Sequence, residues 1–415
     1  MKSRYLNSEL IEKKTSSHVR IIVLTGARQT GKTTLAKRVF KEYSYLSIED
    51  PILRMDYKKL TAAQWKMFYP KAVLDEVQKE PVLIESIKST YDQYDDVRYL
   101  LLGSSQLLLL NKVRESLAGR CIIKEVFPLS LPEIRSTSWD DKVKNSWFQT
   151  FLLETNIPDV LPSFNLYPDF AERQNVFQYY LQFGGYPALV HEEMTDDDRD
   201  EWLLNYVRTY LERDIRDIAD FKSLEPFVKT QQLTALRTGQ LINFTNIANE
   251  ANITSKTAQR FLQYLGVSYQ TIMIQAWSVN KLKRLVKTPK LHYLDPGVQR
   301  AILQKKGLLN GNEFESAIVS EIYKQVQLLN KKVSFYHLRT HDGAEVDLIM
   351  ETEEGFIAFE VKQSNHISRK DIRHLMKLPM ILDKPVLMSF ILSNDIEIKQ
   401  LDKSIWAMPA AMFLT

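Results

Sequence analysis

Cysteine is nearly absent: Cys121 stands alone among 415 residues. One thiol excludes an internal disulfide framework and any zinc site built on a cysteine pair, and its expected place is that of a small buried apolar side chain. Charge of one sign is not in excess either, since 55 Lys and Arg face 51 Asp and Glu. A surface for a polyanion would therefore have to be local. No apolar run approaches the roughly 18 residues that cross a bilayer, and residues 1–14 carry charges where a signal peptide carries an apolar core. These absences point to a cytoplasmic protein with no membrane partner. Glycine is scarce too, at 13 residues against a usual share of about 7%, so glycines at fixed spacing carry information.

What remains is the composition of a folded chain: 44% hydrophobic, 11% aromatic and 26% charged residues. The length implies several domains of about 100–200 residues each. Short β-branched or apolar runs recur at 21–24, 45–48, 72–74, 99–102 and 121–126, with helix-length stretches between them, starting with 32–42. That alternation predicts a parallel sheet covered by helices on both faces. The chain then turns irregular, reads mainly as helices from Val176 to about Leu265, and returns to strand patterns at 333–336, 346–350 and 356–361 after a helix at 313–328. The expected fold class is α/β and multidomain: residues 1–134, a lid or insertion at 135–175, a helical domain at 176–300, and a second α/β domain at 301–415.

The segment Gly26-Ala27-Arg28-Gln29-Thr30-Gly31-Lys32-Thr33 fits G-x-x-x-x-G-K-[ST] and lies between a predicted buried strand and a predicted helix, the context this phosphate-binding loop requires. Its glycines let successive N–H groups and the positive helix end face an anion. Residues 26–34, through Thr34, are thus the expected ATP site. Lys32 would reach the β- and γ-phosphates, and Thr33 would offer its hydroxyl to Mg²⁺. Hydrolysis also needs a carboxylate for the metal and a group that orients water. The strand end Leu74-Asp75-Glu76 supplies both, with Asp75 toward the metal and Glu76 toward the water. The next strand ends in Gly103-Ser104-Ser105-Gln106, where a serine, Ser105 foremost, could sense the γ-phosphate.

This order of elements resembles the AAA+ ATPases. The resemblance implies a role for Arg120, just before the last strand of that sheet: neutralising transition-state charge, often across a subunit boundary, and hence a homo-oligomer. A solvated arginine fits the same position. Leu-Asp-Glu-Val-Gln at 74–78, Leu-Leu-Gly-Ser-Ser-Gln at 101–106, Glu-Ser-Leu-Ala-Gly-Arg at 115–120, Gly-Gly-Tyr-Pro at 184–187 and Tyr-Leu-Glu-Arg-Asp-Ile at 210–215 narrow it. Together they look like a prokaryotic AAA+ ATP-binding family with a winged-helix-like middle region and a C-terminal restriction-endonuclease-like domain. Ala27 departs from that pattern, where proline would be expected. The resemblance spans the chain apart from the first 20 residues and 135–180.

For the middle region the resemblance implies a winged helix around Phe244 to Leu265, whose second helix would contact DNA. Residues 244–248 and 255–265 form two helical patterns joined by Asn252-Ile253-Thr254, with Thr254 as N-cap. The second would turn Lys256, Thr257, Gln259 and Arg260 outward, although a purely structural helix pair reads the same way. Residues 281–310 hold eight Lys or Arg and one acid, Asp295. Such a stretch is either a patch for phosphates or a solvated linker.

Near the C-terminus, Asp347 lies on one predicted strand, and Glu360 and Lys362 share a face of the next. Two carboxylates and a lysine are the parts of metal-assisted phosphodiester hydrolysis. Asp347 and Glu360 would hold Mg²⁺ or Mn²⁺, Lys362 would assist the water, and Glu315 on the preceding helix could add a ligand. The set looks like the restriction-endonuclease core. The expected function is an ATPase using ATP and Mg²⁺, coupled to DNA binding and, through this second site, DNA cleavage. The alternative is a nucleotide-dependent regulatory or signalling switch whose nuclease-like domain is an inert interaction module.

Overall fold

The computed structural model describes residues 1–103, 113, 115–154, 169–211, 223–340 and 343–415. Ser104, Ser105 and Gln106, and the 212–215 part of the Tyr-Leu-Glu-Arg-Asp-Ile motif, lie outside the described residues.

The first half runs α1 (Tyr5–Thr15), β1 (Ile21–Thr25), α2 (Lys32–Val39), β2 (Ser44–Ser47), α3 (Pro51–Lys59), α4 (Ala62–Phe68), β3 (Lys71–Asp75), α5 (Val82–Gln93), β4 (Arg98–Gly103) and β5 (Cys121–Glu125). Its strands form a wholly parallel sheet in the order β2-β3-β4-β1-β5. Every residue of β1 is buried, as a strand with helices on both faces must be. Alternation then sorts its side chains. Ile21 and Val23 pack with Leu74, Leu101 and the α5 residues Ile84 and Ile87, whereas Ile22 and Leu24 pack with Leu35 of α2 and Leu6 and Leu10 of α1. Each such aliphatic burial contributes about 1.5–3 kcal/mol. Cys121, expected inside, is only half-buried, because it opens the edge strand β5.

Two helices follow, α6 (Leu131–Arg135) and α7 (Trp147–Glu154), both within the stretch from about Pro128 to Pro168 that reads as irregular. Then come α8 (Phe170–Phe183), α9 (Asp196–Tyr206), α10 (Glu225–Leu236), β6 (Gln240–Leu241), α11 (Phe244–Ala251), α12 (Ser255–Val267), β7 (Thr271–Ala276), α13 (Lys281–Val286), β8 (Lys290–Tyr293) and α14 (Pro296–Leu303). The expected caps are present: Thr254 accepts from the Thr257 N–H at the start of α12. The turn at 184–187 is set by crowding. A Cβ on Gly185 would stand 2.2 Å from the Leu129 carbonyl oxygen, and one on Gly184 would stand 2.0 Å from Asp295 Oδ1.

The third part holds α15 (Gly311–Leu328), β9 (Ser334–Arg339), β10 (Glu345–Glu351), β11 (Phe356–Lys362), β12 (Val386–Ser393), β13 (Lys399–Asp402) and β14 (Ile405–Pro409). The two regions are not separate in space. β7 pairs in parallel with β9 through Gln275↔Tyr336 and Ala276↔His337, so one nine-stranded sheet runs β13-β14-β12-β11-β10-β9-β7-β8-β6. A boundary at 300/301 therefore falls between strands of a common sheet. The helix α15 is buried along most of its length and reaches back to the first half. Its Glu321 accepts from the Leu131 N–H at 2.8 Å, and Lys324 donates to the Leu129 carbonyl at 3.3 Å.

Candidate active site

The loop after β1 is shaped by backbone geometry that few residues tolerate. Gly26 has φ of +150°, and a Cβ there would meet the Val126 carbonyl oxygen at 2.3 Å. Gly31, at φ +90°, precedes α2 as its N-cap. Gln29 adopts φ +62°, a left-handed conformation costing a non-glycine residue about 1–2 kcal/mol. Thr30 Oγ1 closes the loop on itself by donating to the Ala27 carbonyl at 2.9 Å. Lys32 Nζ donates to the carbonyls of Gly26 and Ala27 at 2.9 and 2.7 Å, so the ammonium lies within the curl of the loop. The first-turn N–H groups of α2 have no carbonyl to meet inside the helix and complete the anion-binding character.

The structure brings Thr33 and Asp75 together. Thr33 Oγ1 donates to Asp75 Oδ2 at 2.7 Å, and the hydroxyl of Tyr45, from β2, donates to the same oxygen at 2.6 Å. Asp75 is buried at the end of β3, with Oδ1 accepting from the Glu76 N–H at 3.0 Å. Burial, and next the Asp75 contact, lifts the Tyr45 hydroxyl above its ordinary range. Glu76 takes φ +58°, which turns the chain sharply off the strand, and its carboxylate is held by Gln78. Tyr45 was missed by sequence reasoning, as hydroxyls on edge strands carry no motif.

So was Arg4, which fastens the loop from behind. Its guanidinium pairs with Glu133 at 3.2 Å and donates to the carbonyls of Thr30 and Phe127 at 3.1 and 2.6 Å, all of it buried. A cavity of about 550 Å³ opens beside the loop, between Thr30, Thr34 and Leu35 on one side and Trp139, Pro187 and Val190 on the other. That volume is within the range of small-molecule sites. The middle region thus touches the loop directly, and the Tyr206 hydroxyl donates to the Arg28 carbonyl at 3.3 Å.

Arg120 is elsewhere. The register Ile21↔Cys121 puts it at the start of β1, about 15 Å from the loop at the strand's other end. There it forms a two-pronged pair with Asp92 at 2.7 and 3.2 Å. It cannot reach phosphates on its own subunit.

The C-terminal acids do converge. Asp347 Oδ2 accepts from the Val361 N–H at 2.8 Å, and Lys362 pairs with Glu360 at 2.6 Å. Glu315 joins them, and so does a residue that sequence reasoning placed in a solvated basic stretch. Lys290 Nζ lies 2.7 Å from Glu315 Oε1, 3.3 Å from Asp347 Oδ1 and 3.4 Å from Glu345 Oε1. Burial, with the Asp347 charge behind it, pushes Glu315 up to about 8 against the pull of Lys290, and burial and Asp347 likewise push Glu360 up to about 7. Burial works the other way on Lys290, but Asp347 and Glu315 hold its ammonium above the ordinary range.

The cationic stretch 281–310 is accordingly no continuous basic face. Arg284 is buried against Glu351 at 2.9 Å, Lys305 pairs with Glu313, and Lys306 with Asp200. Lys281, Lys283 and Lys287 remain exposed. On α12, Lys256, Gln259 and Arg260 face outward as expected, while Thr257 is half-buried and shares a hydrogen bond with Thr254.

Three segments of the chain match known families. Residues 18–135 match the AAA domain family, and residues 174–308 and 310–413 match two domains of unknown function, DUF8612 and DUF4143. An uncharacterized protein of Mycobacterium tuberculosis is 24% identical over 353 residues, covering 83% of this chain and 70% of that protein. One of Haemophilus influenzae is 19% identical over 388 residues, covering 86% of each. Among solved structures, a Walker-type ATPase of Pyrococcus abyssi shares 14% identity at a TM-score of 0.46, covering 73% of this chain and 96% of that one. A STAND-type signal transduction ATPase of Pyrococcus horikoshii shares 10% identity at a TM-score of 0.27, over 76% and 44%. With the AAA match lying over the phosphate loop and the five-stranded sheet, the chain is an ATPase. Among the described residues no helix is long and apolar enough to cross a membrane.

Arg4→Met leaves the Glu133 carboxylate buried without its guanidinium. The expected loss is about 3–5 kcal/mol of stability, read by denaturant unfolding, together with a raised KM for ATP.

Proposed function

We propose that the chain hydrolyses MgATP on the loop at 26–34 and passes the change to a DNA-contacting surface on α12. The observation that carries the ATP part is the meeting of Thr33 and Asp75 at 2.7 Å beside the loop. A hydroxyl and a carboxylate are hard oxygen donors of the kind Mg²⁺ takes, so Thr33 and Asp75, the latter through water, would hold the ion. When bound, the ion neutralises charge on the phosphates. Lys32, released from the Gly26 and Ala27 carbonyls, binds the β- and γ-phosphates. Glu76 accepts a proton-side hydrogen bond from the attacking water and aligns it. Ser105, outside the described residues, keeps its proposed role of sensing the γ-phosphate. The cavity beside Trp139 and Val190 accommodates the base and sugar and excludes solvent. Arg120 acts only between subunits in this scheme, which makes a homo-oligomer the working form.

The DNA part rests on α11 and α12, two helices joined by a short turn, followed by the β7–β8 hairpin. The helix pair supports a winged-helix reading, with Lys256, Gln259 and Arg260 outward on the second helix and exposed lysines on α13. Phosphate and base-edge contacts from such side chains are the usual means of groove binding. A second reading, a nucleotide-dependent switch that signals to a partner protein, is favoured by the packing of the middle region against the loop at Pro187 and Tyr206. In that case the ATP cycle would alter a protein surface, with no DNA involved.

Three outcomes are expected. Lys32→Ala weakens MgATP binding by about 100-fold or more, the value of two charge-assisted hydrogen bonds, whereas Glu76→Gln keeps binding and lowers kcat by about 10²–10⁴; equal loss of affinity in both would reverse the assigned roles. Arg120→Ala abolishes the rise of specific ATPase activity with protein concentration, and an identical concentration series in the variant would exclude the trans-acting role. Lys256→Ala with Arg260→Ala reduces the salt dependence of duplex DNA binding by about 2 in log–log slope, while a protein with no affinity for DNA at low salt would favour the switch.

A further inference from the structure

We infer that Lys290 is the resident cation of the C-terminal carboxylate cluster, so that the cluster takes no divalent metal and serves as the joint between the β7–β8 hairpin and the C-terminal sheet. A metal held by Glu315, Asp347 and Glu360 would need their oxygens about 2.0–2.1 Å away for Mg²⁺. Lys290 Nζ already stands among them, 2.7 Å from Glu315 Oε1 and 3.3 Å from Asp347 Oδ1. An ion in that space would share it with an ammonium of the same sign. Two further oxygens are committed, Asp347 Oδ2 to the Val361 N–H and Glu360 Oε1 to Lys362, while Glu360 Oε2 is buried with no hydrogen-bond partner.

Nor can Lys290 step aside easily. It belongs to a strand whose every residue is buried, and its side chain is 4% exposed. Swinging away would leave the charge buried without its carboxylates, where an unpaired ammonium is costly. The lysine comes from β8, the carboxylates from α15 and β10. The ion-pair cluster therefore ties the region matched by one family to the region matched by the next. Without a metal the set lacks the Lewis acid that phosphodiester cleavage by this kind of site requires, and the C-terminal part acts by binding.

The test uses the full chain without nucleotide, with Mn²⁺ as the probe and free Mn²⁺ read by electron paramagnetic resonance. Wild type and Asp347→Asn are expected to take up Mn²⁺ alike. Lys290→Met is expected to gain one equivalent bound at least ten-fold more tightly than any in wild type, and Asp347→Asn added to it removes that gain. An Asp347-dependent equivalent in the wild-type protein would overturn the inference, as would a folded Lys290→Met protein that gains none. Should Lys290→Met fail to fold, the comparison of wild type with Asp347→Asn still decides.

Discussion

One buried carboxylate holds the molecule's centre together. Asp295 accepts the Gly185 N–H at 2.8 Å and the Val298 N–H at 3.1 Å, capping α14 while gripping the turn that ends α8. Burial raises its carboxyl above the ordinary value, against the pull of Lys324 and these backbone donors. The same turn accepts the Leu129 N–H on the Gly185 carbonyl at 2.6 Å, just past the end of β5. Three regions distant in sequence thus meet through main-chain groups with no space for a methyl. Pro187, two residues on from Gly185, is held against the phosphate loop as a result.

Around that rigid centre the contacts with the loop are softer. The Tyr186 and Tyr206 hydroxyls lie 3.0 Å apart, and Tyr206 reaches the Arg28 carbonyl. Tyr269, from the turn before β7, donates to Thr25 Oγ1 and Glu125 at 3.2 and 3.1 Å. The neutral hydrogen bonds among these are worth about 0.5–1.5 kcal/mol each, and the one to the Glu125 carboxylate about 1.5–3 kcal/mol. A contact of that strength can be exchanged for another without unfolding the region that makes it.

The ATPase half was legible in the sequence because its working residues act within short contiguous segments. Gly26 to Thr33 form one loop, and Asp75 ends one strand. The buried runs of the parallel sheet announce themselves by composition. The pairing of Asp347 with Glu360 was legible for a similar reason, since neighbouring strands and a face shared at every second residue place them. Lys290 was not. It meets Asp347 across 57 positions, and a lysine counted in a basic stretch reads as solvated until the fold shows which strand it sits on. Arg284 was misjudged on the same ground. Tyr45 and Arg4 escaped because they reach Asp75 and the loop from outside any motif, Tyr45 from an edge strand and Arg4 from the residue before α1.

The pairing of β7 with β9 also bears on how such a chain can be inherited. Two of its segments look like exchangeable beads, with a seam near residue 309. In space that seam opens onto α15, which packs its flanks against β8 and β11 and lends Glu321 and Lys324 to the turn after β5. A recombination event there would transfer six of the sheet's nine strands and leave Lys290 on the other three without its carboxylates. A foreign C-terminal part would have to bring its own counterpart to Lys290 along with it, as a key is cut to its lock.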